Sequence, residues 1–438
     1  MAAAELNPEN QRAFALQVVQ QLRDSGFEAL WAGGCVRDDL LGRTPGDYDV
    51  ATSAKPDEVI RVFGKRRTVP VGVSFGVVMV LGPSKDAGQV EVATFRADGE
   101  YLDGRRPSEV TFCSAEEDAK RRDFTINGMF FDPVAEEVID YVGGRDDLAA
   151  RVVRAIGRAE DRFEEDKLRM LRAVRFAATF RFVLEEDTSR AVSRFADRIS
   201  QVSMERIAAE LRRMLAHDTR AISFRNLADT GLLMHIFPKL YETYDVSESF
   251  RDISDRAENT LKALTEPRFE ASLAALLEPL YRSEPELAKH RTEAVRAECR
   301  RLKLSNDETT CICWILDSAQ ACRQAPNPAL HIIKPILADE RHALLLDFLK
   351  AEAIAADVEP VAADRLTEYR SRTPADVLNP PPLADGSDLK QLNVKPGPAF
   401  KDLLNTIRRE QLDEQITSRE EALSRLRQLV SELPAVRK

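Results

Sequence analysis

The chain has 438 residues, 44% hydrophobic and 31% charged, close to the average globular composition, which excludes collagen-like, coiled-coil and wholly disordered architectures. At about 100 to 200 residues per domain, this length predicts two to four domains. A formal net charge of -10 argues against coating nucleic acid through bulk charge but leaves room for a local basic groove, because affinity follows the phosphates contacted.

Up to about residue 145, short β-branched and aromatic runs at Ala29–Ala32, Tyr48–Ala51, Val77–Leu81, Val90–Phe95, Phe130–Asp132 and Val138–Tyr141 alternate with Gly, Pro and Asp turns. This pattern predicts a sheet with helices. From about Asp146 glycine thins out and apolar residues recur at three and four, as in Leu168, Leu171, Val174, Phe176 and Ala178, so an all-helical remainder is predicted. Breaks are expected at Pro238, at Ser283–Pro285 and at Asn379–Pro382, where three prolines preclude regular structure. Lys395–Pro398 announces a last helical piece carrying Leu403, Leu404, Ile407, Leu412, Ile416, Leu423 and Leu426. The six cysteines (Cys35, Cys113, Cys299, Cys311, Cys313, Cys322) lack zinc-site or paired-thiol spacing, and Cys311 and Cys313 read as small buried hydrophobes. No run approaches the roughly 18 apolar residues of a membrane span. A reduced cytoplasm and no membrane partner are therefore expected.

The densest signal is Trp31 to Ala51. Gly33 and Gly34 leave a strand and enter a helix at Val36, where free backbone amides suit a phosphate as well as a plain structural turn. In a strand of period two, Asp47 and Asp49 point to one face and Tyr48 and Val50 to the other. Two converging carboxylates are costly without a cation. Mg²⁺ held by them and by nucleotide phosphates would relieve the repulsion and set up attack of a hydroxyl on an α-phosphate. Glu91, the only charge in a β-rich run, is either a third carboxylate of this site or an edge-strand residue facing water. Lys120, Arg121 and Arg122 suit a triphosphate or RNA backbone, and Asp123 and Asn127, four apart on one helical face, offer hydrogen bonds to a ribose. Glu165, Asp166 and Arg169 stand at helical spacings, which suits either a surface salt-bridge triple or, with Glu165 bracing the guanidinium, an Asp166–Arg169 pair that reads a base. Asp accepts from an exocyclic amino group while Arg donates to the adjacent ring nitrogen, a pattern that admits C and A and rejects U and G. His217-Asp218 and His235 read as a helix-end pair and a partly buried histidine rather than ligands.

Together these segments resemble the class II tRNA nucleotidyltransferase (CCA-adding enzyme) and bacterial poly(A) polymerase family: Gly33 to Asp49 (GGxVRDxLLGRxPxDxD), Arg121 to Asn127 (RRDFTIN), a hinge motif at Asp140 to Leu148, Glu165 to Arg169 (EDxxR), and Glu205-Arg206-Ile207 leading to Glu210-Leu211. The resemblance covers about the first 240 residues. It implies an α/β nucleotidyltransferase head with a mixed sheet and helices (1–145), then an all-α neck (146–215), body (216–378) and tail (379–438). It implies addition of C and A to the tRNA 3′ end from CTP and ATP, with Mg²⁺ as cofactor and pyrophosphate released. By that resemblance Asp47 and Asp49 bind the metal. Gly33, Gly34 and Arg37 take the triphosphate, Arg122 and Asp123 the sugar and phosphates, and Asp166 with Arg169 the base. Ala97 to Pro107, with Asp103, Gly104 and Arg105, resembles the flexible loop that CC-adding members shorten, and Asp388 to Phe400 resembles a tail segment that meets tRNA. A poly(A) polymerase is the main alternative. A CC-adding enzyme and a non-catalytic RNA-binding protein rank below it, the latter because paired aspartates weaken a strand that binds no metal.

Overall fold

The computed structural model describes residues 6–72, 76–98, 110–240, 250–282, 291–323 and 328–432. Its contacts divide it into two compact units, one of residues 1–214 with 222–238, the other of 215–221 with 239–438.

The first unit is built on β1 (Ala29–Ala32), β2 (Asp49–Thr52), β3 (Thr68–Gly72), β4 (Val77–Leu81), β5 (Gln89–Thr94), β8 (Phe130–Asp132) and β9 (Glu137–Ile139), in the order β3-β4-β5-β2-β1-β8-β9. A short hairpin of β6 (Arg96–Asp98) and β7 (Val110–Phe112) stands apart. Every neighbouring pair of the large sheet is antiparallel except β2 and β5, which run parallel with Asp49 beside Glu91. β1 is buried at all four positions, as befits a central strand covered on both faces. α1 (Pro8–Asp24) packs Phe14, Val18 and Leu22 inward and contacts β1 and β2, as α3 (Pro56–Phe63) contacts β4 and β5. Ala115 and Ala119 of α4 (Ala115–Lys120) join Leu30, Ala32, Ala51, Phe95 and Phe130 in one apolar cluster. The unit continues through α2 (Gly34–Leu40), α5 (Gly144–Ala150), α6 (Ala159–Glu165), α7 (Leu168–Phe180) and α8 (Glu186–Phe195).

The mixed sheet and the mostly helical remainder are as the sequence leads one to expect. Four local expectations are corrected. The second strand starts at Asp49 rather than Tyr48, although the alternation survives: Tyr48 and Val50 are buried and Asp47 is exposed. The stretch after residue 146 is not purely helical, because β10 (Val152–Val153) pairs in parallel with β11 (Val183–Leu184). Asp123 and Asn127 do not share a helix. Phe124 bridges to Ala155, which holds the backbone extended, and only a 3-10 turn, Thr125–Asn127, follows. Residues 164–176 are two helices, because Asp166 adopts extended angles (φ -145°, ψ 105°) and ends α6 before α7 begins.

The described part of the second unit is helical, from Phe250–Ala263 to Arg419–Glu432. All six cysteines are free thiols, and Cys311 and Cys313 sit in helix Asn306–Arg323. Among the described residues no helix is long and apolar enough to cross a membrane. The Asn379–Pro382 stretch is irregular, its carbonyls at Pro380 and Pro381 taken by Arg408 and Gln411. Beyond it Leu389, Leu403, Ile407, Ile416 and Leu426 close a small core of their own. Ser283–Pro285 and most of the expected loop, including Asp103, Gly104 and Arg105, lie outside the described residues.

Candidate active site

A hollow of about 410 Å³ opens where β2 and β5 lie side by side. Gly33, Gly34, Arg37, Asp49, Glu91, Arg122, Asp123 and Asn127 of the sequence motifs line it, together with Arg96, Arg121, Arg172 and Phe176. The parallel register sets Asp49 and Glu91 on neighbouring strands at one level, a pairing that neither motif reveals by itself. Burial, then the charges of Glu91 and Asp47, push Asp49 up to about 7, with Arg122 pulling the other way. Desolvation and Asp47 raise Glu91 as well, against Arg96. Asp47 does not line the hollow, but its charge reaches both carboxylates. This mutual repulsion is what a cation removes.

Among the described residues no group of three or more His, Cys, Asp or Glu side chains is arranged to hold an ion by itself. The donor set fits Mg²⁺ nonetheless, because Mg²⁺ is usually held through one or two carboxylates and completes its shell with water and substrate phosphates.

Opposite the carboxylates stands a set of arginines with fixed orientation. Asp118, 1% exposed, accepts from Arg121 through one oxygen (2.7 and 2.9 Å) and from Arg122 through the other (2.9 and 3.2 Å). Burial pushes Asp118 up, but the two guanidiniums outweigh it and keep it below the usual carboxylate range. The spacing of three and four from α4 is the signal that would have named Asp118 beforehand. Gly33 turns the chain into α2 at φ 72°, and a Cβ there would meet Arg122 Nη1 at 3.0 Å, so the turn admits little but glycine. The Gly33 amide donates to the Met129 carbonyl (3.2 Å) and is not the free phosphate donor the motif suggested.

Asp123 is the centre of a buried chain of bonds. Its Oδ2 accepts from Arg172 Nε and Nη2 at 2.8 and 2.6 Å, and its Oδ1 from Asn127 Nδ2 at 3.1 Å and the Phe124 amide at 2.8 Å. Asn127 Oδ1 in turn accepts from Arg37 Nη1 at 2.5 Å, while Arg37 lies over Phe180 and Phe176 at 4.4 and 5.4 Å. Burial raises Asp123, but Arg172, the Asn127 bond and Arg169 more than reverse this and hold it at about 2. Its oxygens thus accept four bonds within the protein while the residue lines the hollow. Arg172, missed in the sequence, lies one helical turn beyond Arg169.

Glu165, Asp166 and Arg169 do not line the hollow. Glu165 Oε2 accepts from Arg169 Nη1 at 2.5 Å, as expected, and Arg169 Nη2 reaches the carbonyl of Arg121, which does line it. Asp166 is held separately, by Arg206 at 2.6 Å and by its own bond to the Leu168 amide at 3.0 Å. The Asp140 carboxylate accepts from the amides of Val142, Gly143, Gly144 and Arg145, which caps α5 and gives the hinge motif its physical basis.

A family model described as the poly A polymerase head domain matches residues 29–154, and one described as a probable RNA and SrmB-binding site of polymerase A matches 181–243. The chain is 45% identical over 219 residues to a CCA-adding enzyme of Geobacillus stearothermophilus, covering 50% of this chain and 53% of the relative. It is 40% identical over 263 residues to one of Streptococcus thermophilus, covering 60% and 63%. The chain spans about half the length of the first of these curated relatives, and under two thirds of the second. The crystal structure of Bacillus stearothermophilus CCA-adding enzyme in complex with CTP aligns with a TM-score of 0.74 at 29% identity, covering 96% of this chain and 98% of that one. Thermotoga maritima CCA-adding enzyme complexed with tRNA_CCA shares the fold, with a TM-score of 0.61 at 21% identity and 98% and 97% coverage. These matches fall on the segments that build the hollow: residues 29–154 match the poly A polymerase head domain, and the chain is similar there to CCA-adding enzymes.

Proposed function

We propose that the protein is a template-independent tRNA nucleotidyltransferase that adds C and A to the tRNA 3′ end from CTP and ATP and releases pyrophosphate. The observation that carries this reading is the parallel register of Asp49 and Glu91 facing Arg121, Arg122 and Arg172 in one hollow. Paired carboxylates suit a hydroxyl that must lose its proton, and fixed cations suit the charge of a triphosphate, which supports the reading. The CTP complex of the 29% identical relative supports the nucleotide class.

In this reading Asp47 and Asp49, with Glu91 beside them, hold Mg²⁺, which supplies Lewis-acid polarisation of the α-phosphate when bound. Arg122, beside Gly33, and Arg37, beside Gly34, orient the phosphates. Asp123 and Asn127 act by fixing Arg172 and Arg37. Asp166 and Arg169 read the base edge, each held by its own partner so that neither needs to reorganise on binding. Residues 1–145 form the catalytic head, 146–215 the neck, 216–378 the body and 379–438 the tail that meets tRNA. A cytoplasmic location agrees with six free thiols.

The test is to incubate the protein with tRNA transcripts ending in the discriminator base, in C and in CC, supply CTP or ATP separately, and size the products. Stepwise addition that stops at a complete CCA end is expected. Unlimited extension of an arbitrary RNA with ATP would make it a poly(A) polymerase instead, and arrest after CC a CC-adding enzyme.

A further inference from the structure

The second unit contains a hollow of about 480 Å³ with no assigned role. It is lined by His342, Ala343 and Leu346 of helix His342–Ala355, by Thr367, Arg370, Ser371 and Arg372 of helix Val361–Arg372, and by Thr373, Pro374 and Ala375 after it. No carboxylate lines it. The Arg370 side chain is half-buried, and its Nε is shielded from solvent with no acceptor among the described residues. Shielded as it is, that Nε cannot itself meet a ligand, so what Arg370 offers the hollow is the terminal fork of its guanidinium.

The neighbouring polar groups narrow what that is. The hydroxyls of Thr367, Ser371 and Thr373 donate to the carbonyls of Ala363, Glu368 and Tyr369 at 2.7, 2.8 and 2.6 Å. His342 Nδ1 is bonded to the Asp339 carbonyl at 2.8 Å. Arg372 is shared with Glu368 on the exposed side. The donor left over is Arg370, with Arg372 close behind it in sequence, against a wall of Ala343, Leu346 and Pro374. An always-charged planar fork in a hollow free of carboxylates selects an anion with paired oxygens, and phosphate is the one it fits best.

We propose that this hollow is a phosphate-binding pocket in which Arg370 takes one backbone phosphate of the RNA substrate, a positioning contact that carries no sequence information. It rests on the reading of the protein as an RNA nucleotidyltransferase. The experiment measures affinity for a tRNA transcript across a salt series, with CMP incorporation as a separate readout. Arg370→Ala is expected to weaken tRNA binding by about tenfold and to flatten the log–log salt dependence by about 0.9, the share of one phosphate. Arg370→Lys should keep the slope, and the KM for CTP should stay unchanged. Should Arg370→Ala fold poorly, as judged by its melting temperature, Leu346→Glu brings a carboxylate into the hollow and should weaken tRNA binding without removing the arginine. Unchanged affinity and slope in folded variants would overturn the proposal. So would a pocket that answers only to free phosphate, seen as inorganic phosphate raising the melting temperature of the wild type and not of Arg370→Ala while tRNA affinity stays equal. A wild type that binds tRNA yet incorporates nothing would instead overturn the catalytic reading and leave this one standing.

Discussion

Asp123 shows how one residue can be legible as a motif while its partners within the fold are not. Its position in RRDFTIN marks it, and in the fold four donors occupy its oxygens, among them Arg172 and Asn127. Because its carboxyl sits at about 2 in the fold against 3.8 ordinarily, it stabilises the ionised, folded state. That contribution is fully present above about pH 4, is lost as pH falls through about 2, and amounts to about 2 kcal/mol. Asp123→Asn should therefore unfold at lower urea than the wild type at neutral pH, with the gap narrowing on acidification toward pH 2. A gap independent of pH would contradict the pairing. Asp166 and Arg169 were legible from spacing, but their separate anchors, Arg206 and Glu165, were not, because Arg206 is 40 residues away from Asp166. Asp166→Ala or Arg169→Ala should lower the preference for CTP over UTP by about a hundredfold, read from incorporation rates; undiminished discrimination would remove these residues from base reading.

Strands announced by β-branched runs between turns, Ala29–Ala32, Val77–Leu81 and Phe130–Asp132, stand where the sequence predicts them. Thr68–Gly72 did not announce itself, because Lys65, Arg66 and Arg67 precede it and Pro70 interrupts it, composition suited to an edge strand. The parallel pairing of β2 with β5 could not be read either, since a local pattern carries no information about a partner some forty residues on. The same limit hid the bridge from Phe124 to Ala155 that turns an expected helix into a 3-10 turn. Element packing makes its own prediction at Gly144, which opens α5. A Cβ there would run into the Thr125 carbonyl and approach Met129 Cγ at 2.7 Å, so α5 docks on that turn only with glycine. Gly144→Ala should cost about 1 to 3 kcal/mol in thermal or urea unfolding, and a variant as stable as the wild type would show that the turn is free to move.

Across the molecule, the net charge of -10 hides a division of labour. In the first unit carboxylates and arginines face each other across one hollow, and the second unit offers Arg370 in a hollow without carboxylates. An acidic chain can thus handle a polyanion by placing its cations rather than multiplying them. The claim on which all of this turns is that Asp47 and Asp49 perform the chemistry. It is tested most directly by mixing α-labelled CTP, Mg²⁺ and a tRNA ending in the discriminator base with wild type and with Asp49→Ala or Asp47→Ala. tRNA binding is followed in parallel. Wild type should incorporate label, and each variant should retain tRNA affinity while losing incorporation by about a thousandfold or more. Incorporation at the wild-type rate by either variant would contradict the account.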